Sequence, residues 1–369
     1  VIFLYFSLFL YVCSIIENKL LFKVSALMVG GYFSITYAYG YDWLNYYQSY
    51  HALENGGEAF FADLAFILIM KLCIFFDLGY GGFNFIVNAF IYFFVYTFCK
   101  DLKNPTFAFF ALFSFLGFFM FTEQIRQGLA LSVILYGFSK YYFTSKKKFI
   151  LTVFIATYFH FSAVLALSYF FIINDNKRGM MRAFLFSSLF YAVFITLLLS
   201  PNIVTFIQIL QQKFEAYGAM YSDLDTDFLT FILHSKMLFV YLFFFLLFLF
   251  IKKPGAKKYT TYGSLYMLML TRSSSLLVRV GYYFVPVFIY SIDDLMYSLN
   301  RGFKTHWVKL IICTVVLVVS TIPLWTPMYM NGSKSNLDIF STTSDIRREI
   351  GKKCTVLRVN SDIRTDGCL

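Results

Sequence analysis

The sequence predicts an all-α fold, a polytopic helical integral membrane protein of about ten transmembrane helices plus re-entrant or interfacial helices. Three observations carry that prediction. Of 369 residues, 59% are hydrophobic and 22% aromatic while only 14% are charged, more apolar surface than a soluble core needs or a water-soluble protein could hide. Apolar stretches approaching the ~20 residues that cross a bilayer recur from end to end. These runs are continuous rather than alternating, which argues against a barrel.

Taken in order, spans are expected at 1–16, 20–39, 83–99, 105–121, 125–143, 183–200, 228–251, 259–275, 276–292 and 309–328. The first lacks a basic leader and a small-residue cleavage site, so it reads as a retained helix rather than a signal. Pro286 and Pro323 are expected to kink the helices that hold them. The net charge of +11 reads as the Lys and Arg excess of cytoplasmic loops, and no nucleic-acid partner is expected. Lys100 and Lys103, Lys146 to Lys148, Lys177, Arg178 and Arg182, Lys252, Lys253, Lys257 and Lys258, and Arg301, Lys304 and Lys309 mark the cytoplasmic side. The acidic segments 40–60 and 215–227 are expected outside.

Parity then makes two demands. Between residue 60 outside and Lys100 inside only one crossing fits, assigned to 83–99, so 61–76 must lie along or dip into the outer face. Lys148 and Lys177 are both assigned inside, so 149–173 must enter and return as a re-entrant helical hairpin with His160 at its tip. A simple span over 149–173 with a basic outer loop is the alternative. From about Met330 apolar periodicity ends. Residues 1–329 are thus expected to form one multi-span domain, and 330–369 a polar extracytoplasmic tail, docked or flexible.

Cys13, Cys73, Cys99 and Cys313 lie in apolar segments and read as packing residues. Cys354 and Cys368 sit in the tail, where an oxidising side would let them pair. There is no CxxC pair, no His/Cys metal spacing and no Gly-rich phosphate loop, so neither a metal nor a cofactor is expected.

This threading gathers groups from distant parts of the chain near the outer face. Asp42, Trp43, Tyr46 and Tyr47 follow the second span. Glu58 precedes the dipping segment, whose first turn an acidic residue suits. Glu123, Arg126 and Gln127 open a span, His160 sits at the hairpin tip, Arg272 ends one helix and Arg279 begins the next. His234 and Lys236 lie in an outer helix third as well. An arginine near hydrocarbon is costly and usually has an anion to hold, although at a helix end it can also snorkel to the headgroups. Several cations without a metal cluster suit a pyrophosphate, because Arg bonds phosphate oxygens in pairs and keeps its charge when partly desolvated. A carboxylate and a histidine nearby suit removal of a proton from a sugar hydroxyl. Arg126 and Arg279, then Arg272, are the expected charge stabilisers. His160 is the expected general base, with Asp42 or Glu123 as the alternative base or as its orienter. Gln127 and Glu58 are expected substrate contacts, and Trp43, Tyr46 and Tyr47 the rings expected to stack on sugars.

Four strings share their order and spacing with a known family over about residues 1–330. They are Gly40-Tyr41-Asp42-Trp43-Leu44-Asn45-Tyr46-Tyr47, Arg126-Gln127-Gly128-Leu129-Ala130, Lys146-Lys147-Lys148 followed by Tyr158-Phe159-His160-Phe161-Ser162-Ala163, and Leu277-Val278-Arg279-Val280-Gly281-Tyr282-Tyr283-Phe284. Together they resemble the EpsG family of bacterial exopolysaccharide polymerases, related in role to Wzy-type O-antigen polymerases of lipopolysaccharide biosynthesis. Glu58 departs from the family pattern, because it precedes Ala-Phe-Phe rather than a Pro-containing string, and the tail matches nothing in it.

The resemblance implies a metal-independent glycosyltransferase, a multi-pass protein of the bacterial inner (cytoplasmic) membrane. Its site would face the periplasm and join undecaprenyl-pyrophosphate-linked oligosaccharide units on the outer leaflet. The implied partners are that lipid-linked oligosaccharide, the lipid bilayer, and a flippase and chain-length regulator of the same pathway. A lipid-linked-oligosaccharide flippase is one rival, but it should show internal repeats and midplane charges. A membrane O-acyltransferase is another, for which His160 alone does not complete a site.

Overall fold

The computed structural model describes residues 2–61, 63–199, 235–251, 257–299 and 303–359. The segment 215–227, His234, Lys252, Lys253, Arg301 and Cys368 lie outside them. As the continuous apolar runs require, the described chain is all-helical apart from one pair of two-residue strands. Among the described residues, Gly79–Lys100, Pro105–Glu123 and Lys177–Leu197 are long and apolar enough to cross a bilayer alone. Ile2–Ile16, Leu64–Phe75, Phe161–Ile172, Lys236–Phe250 and His306–Ser320 are shorter apolar helices, so several expected spans fall short of a full crossing.

The chain forms two compact units, Val1–Ala166 with Leu299–Leu369, and Leu167–Ser298. In the first, α1 (Ile2–Ile16) and α2 (Lys19–Ile35) lead to β1 (Thr36–Tyr37), α3 (Trp43–Glu54), α4 (Leu64–Phe75) and α5 (Gly79–Lys100). Next come α6 (Pro105–Leu116), extended by a π-helical stretch Gly117–Glu123, then α7 (Ile125–Gly137) with a π-helical end Phe138–Tyr142, and α8 (Lys146–Thr157).

Every residue from Thr106 to Leu116 of α6 is buried, as its all-round apolar sequence demands. The Asn104 side chain caps its start by accepting from Phe107 N at 3.1 Å, and Pro105 occupies the position where a missing N–H costs nothing. Helices α1, α2 and α5 pack on it, and α7 packs on α5.

Two further segments are helical. The acidic stretch 40–60 holds α3, because Trp43, Tyr46 and Tyr50 recur at helical spacing on its buried face. The segment 61–76 holds α4, whose twelve residues rise only about 18 Å. Its exposed Leu64, Leu68, Leu72 and Phe75 form an apolar stripe.

Beyond α8 the chain turns at Tyr158 to His160, and a 3₁₀ helix Phe161–Ser168 and α9 (Tyr169–Ile172) follow. The helix therefore breaks where His160 was expected to mark a tip. The second unit contains α9, α10 (Lys177–Leu199), α11 (Lys236–Phe250), α12 (Lys258–Leu270), α13 (Ser275–Gly281) and α14 (Val285–Ser298). The expected span 276–292 is interrupted by a 3₁₀ turn at Tyr282–Phe284. Pro286 is the second residue of α14, and Tyr282, four residues back, begins the 3₁₀ turn that interrupts the helix.

The remainder returns to the first unit as α15 (Phe303–Ser320), α16 (Pro327–Gly332), β2 (Leu337–Asp338) and α17 (Thr343–Val359). Pro323 lies in a 3₁₀ turn after α15 rather than within it. The described part of the tail, up to residue 359, is thus ordered. Ile346, Ile350, Cys354 and Leu357 repeat at helical spacing, and Thr342 and Asp345 exchange bonds that close a capping box. Antiparallel pairing of Thr36 with Asp338 and Tyr37 with Leu337 fixes the tail to the chain ahead of α3. Cys354 is disulfide-bonded, while Cys13, Cys73, Cys99 and Cys313 are free and buried, as packing residues should be.

The opposite end of the first unit is held by charge. Lys309 was read as a cytoplasmic loop charge, yet it is buried, 2.6 Å from the Glu17 carboxylate, which also accepts from Asn104. Asp101 after α5 pairs with Lys140 after α7 at 2.7 Å. Losing one partner of a buried pair strands the other's charge. We expect Lys309→Met alone to destabilise the protein by about 3 kcal/mol. Glu17→Gln added to it should recover most of the loss, as read from thermal unfolding in detergent.

Candidate functional site

The site is assembled by the junction of α6 and α7. After the π-helical Gly117–Glu123, Gln124 breaks the helix and Arg126 falls in the first turn of α7. Single-turn π geometry inside a helix is frequent at functional positions. Gly128 makes the close junction possible, because a Cβ there would sit 2.0 Å from the Met120 carbonyl oxygen.

Arg126 reaches the carboxylate of Asp63, the residue that starts α4. Its guanidinium lies 4.2 Å from the Phe61 ring centre and 5.3 Å from that of Tyr46, whose hydroxyl is also a hydrogen-bond partner. Asp42 is near enough for its charge to act on the same guanidinium. The pair therefore sits between the N-termini of α4 and α7, each of which favours anions. Arg126 Nε is buried and finds no hydrogen-bond partner among the described residues, and the same holds for Trp43 Nε1 and Gln124 Oε1 at this end of the unit.

His160 is tied to this group through the backbone: Ala65 N, two residues past Asp63, donates to Tyr158 O at 3.0 Å. The His160 ring is half-buried. Its Nδ1 accepts from Ser162 N at 3.3 Å and lies 2.6 Å from Ser162 Oγ. A backbone N–H can only donate, so neutral His160 carries its proton on Nε2. In that tautomer Nε2 is a donor, and Nδ1, already engaged by Ser162, is the ring's basic nitrogen.

Several expected site residues have other work. Glu123 is buried and accepts from Tyr41 N at 3.3 Å. It packs so closely on Gly40, at φ +69°, that a Cβ there would lie 2.3 Å from Glu123 Cγ. Trp43 and Tyr46 are each 2% exposed, so their faces pack against protein here. Tyr47 is half-buried and packs edge-on against His51 and Tyr80. Gln127 is buried. Glu58 is exposed in the loop before α4 and does not cap it, and Asp63 takes that position.

The second unit holds Arg272 and Arg279. Arg272 is 6% exposed, donates to the Tyr241 hydroxyl at 3.0 Å and lies over the rings of Tyr241 and Tyr282. Among the described residues no carboxylate pairs with it, and its Nε has no partner. Arg279 on α13 is exposed. Lys236 is the first residue of α11 and is exposed.

Three elements escaped the sequence reading. Asp63 is masked by the apolar residues around it, and its partner lies 63 positions on. Phe61 looked like one more membrane aromatic. Lys353 looked like a surface charge of the tail, yet it is 3% exposed. Its ammonium donates to the carbonyls of Asn331, Gly332 and Lys334 at 3.0–3.2 Å, which uses all three donors. The same Gly332 carbonyl accepts from Gly40 N at 2.8 Å, and Tyr41 OH bonds to Met328 O. The tail thus shapes the loop that leads into Asp42.

Burial pulls the Lys353 ammonium from 10.5 down to about 8, with Glu349 and Glu123 partly offsetting it. Between those values the released lysine binds more protons than the docked one, so docking strengthens as pH rises through the window. A spin label on exposed Arg348 should show a smaller mobile fraction at pH 10 than at pH 7.5. Lys353→Met should flatten that dependence.

A search of curated proteins found no match, and neither did a search of solved structures. A family model matches residues 19–336, which contain α2 through α16, the Asp63–Arg126 pair and the buried Arg272. The chain therefore belongs to the EpsG family, whose members are Wzy-like polymerases, and is a polysaccharide-polymerase-type membrane protein.

Proposed function

We propose that this protein joins lipid-pyrophosphate-linked oligosaccharide units, the carrier being undecaprenyl, on the outer leaflet of a bacterial inner membrane. The observation that carries the reading is Arg126. It is held by Asp63 and two rings between two helix N-termini and keeps Nε unspent. A guanidinium fixed this way, with 24% of its side chain still exposed, is oriented to meet a second anion, which is what a departing pyrophosphate needs.

In this reading an acceptor sugar hydroxyl attacks the anomeric carbon of the growing chain, and the bond from that carbon to the pyrophosphate oxygen breaks. The hydroxyl proton passes to Asp42, the carboxylate beside Arg126 that is only half-buried. Asp63, already bonded to Arg126, positions the cation. His160 contributes its Nε2 proton as a hydrogen-bond donor to substrate oxygens. Pyrophosphate is already a good leaving group, so charge stabilisation and alignment of the two sugars supply most of the rate. Arg272 offers a second desolvated cation for the same class of anion in its own unit.

The test is complementation of a host lacking its own copy, with membrane levels checked. Arg126→Ala should cut polymer formation by about 10²–10³-fold, leaving single lipid-linked units on the outer leaflet where the wild type gives a ladder. Arg126→Lys should rescue little, because a lysine cannot reproduce the planar fork. Persistent ladders in both variants would refute the assignment, and units trapped on the inner leaflet would identify a flippase instead.

A further inference from the structure

The second unit carries a groove that plays no part in the chemistry above. Helix α12 packs against both α10 and α11 and forms the floor between them. Its Tyr262 donates to Phe248 O at 3.1 Å and packs on Phe245, and its Tyr266 stacks on Phe184 and bonds to Ser188. These contacts bind the walls to the floor and leave a cavity of about 460 Å³, within the ~300–1,000 Å³ range of small-molecule sites. Apart from Lys177, Lys258 and the hydroxyls of Tyr259 and Tyr262, its lining side chains are apolar.

The two lysines define one end of it. Lys177 is the first residue of α10 and Lys258 the first of α12. Both line the cavity, and neither pairs with a carboxylate among the described residues. Their neighbour Lys257 is committed elsewhere, with its ammonium 3.5 Å from the Tyr290 ring centre and bonded to the Tyr290 carbonyl. Asp175, the acid in the adjoining turn, is exposed and forms no ion pair there among the described residues. The mouth is thus cationic, reinforced by two helix N-termini, and the body is aliphatic and aromatic.

We propose that this groove binds an anionic phospholipid, with the headgroup phosphate between Lys177 and Lys258 and an acyl chain along Phe184, Phe245 and Leu249. Charge complementarity selects the occupant. Lys177, Arg178 and Arg182 make the start of α10 basic in sequence, which the positive-inside rule assigns to the cytoplasmic leaflet, where lipids carry net negative charge. A zwitterionic lipid would bring its own cation to two unpaired lysines, and a free phosphate would leave the apolar body unfilled.

The full-length protein, purified in a neutral detergent, is titrated with phosphatidylglycerol and phosphatidylcholine, and bound lipid is counted by native mass spectrometry. Phosphatidylglycerol should bind, phosphatidylcholine should bind much more weakly, and inorganic phosphate should not displace the lipid. A basic residue near an anionic surface contributes about a factor of five, so Lys177→Gln/Lys258→Gln should weaken phosphatidylglycerol roughly 25-fold. Both side chains lie at helix starts, and the thermal melt without lipid should not change. Met180→Trp, which fills the groove and keeps both lysines, should lose the lipid as well. Equal binding of the two lipids would overturn the proposal. So would unchanged affinity in either variant, or displacement by phosphate alone.

Discussion

Charge inside a protein this apolar must be answered within the protein, and the first unit is organised around two such answers. At one end Lys309 meets Glu17, which is also bonded to Asn104, so the end of α1, the start of α6 and α15 are locked together. At the other end Arg126 meets Asp63, which binds the start of α7 to the start of α4. Between them runs the buried α6, with no charged side chain along Thr106 to Leu116. The first pair has no spare donor of evident use. The second lies against aromatic rings and keeps part of its arginine side chain exposed, and that exposure is what the proposed role of Arg126 draws on.

Much of this was legible in the residues. Continuous apolar runs gave the helices because a bilayer leaves the backbone no other partner. The lone arginine at the start of an apolar run stood out for its desolvation cost, and the break at His160 followed from basic residues on both flanks. What escaped was pairing across the chain. Nothing local to Asp63 says that it faces Arg126, and Glu58, the more conspicuous acid, drew the assignment that belongs five residues later. Trp43 and Tyr46 read as rings for sugars because composition cannot tell an aromatic that lines a site from one that walls it in. The helix in the tail was hidden by its own charges, since Arg347, Arg348, Lys352 and Lys353 surround the apolar positions that fix its phase.

Aromatic packing does much of the positioning. Phe3, Phe33, Tyr39, Phe113 and Phe118 form one cluster of edge-on and stacked rings that joins α1, α2, α6 and the strand loop. Tyr46, Phe61 and Phe66 form another around the guanidinium. Large rigid side chains with few rotamers hold neighbours at fixed distances at small entropic cost. The surroundings of the Arg126 guanidinium are thus held by side chains with little freedom to move. The 50 phenylalanines and 29 tyrosines thus serve internal geometry as well as the lipid boundary.

The pairing of β1 with β2 also orders events in time. Ser335 bonds to the Tyr37 carbonyl across 298 positions, and Lys353 lies further still along the chain. During synthesis, the loop before Asp42 waits for its supporting strand and lysine until β2 and Lys353 have been made. A truncated or stalled chain would hold the arginine but lack the support that shapes the approach to it. The loop that leads into Asp42 is therefore among the last parts of the described fold to be completed, although its own residues are made early.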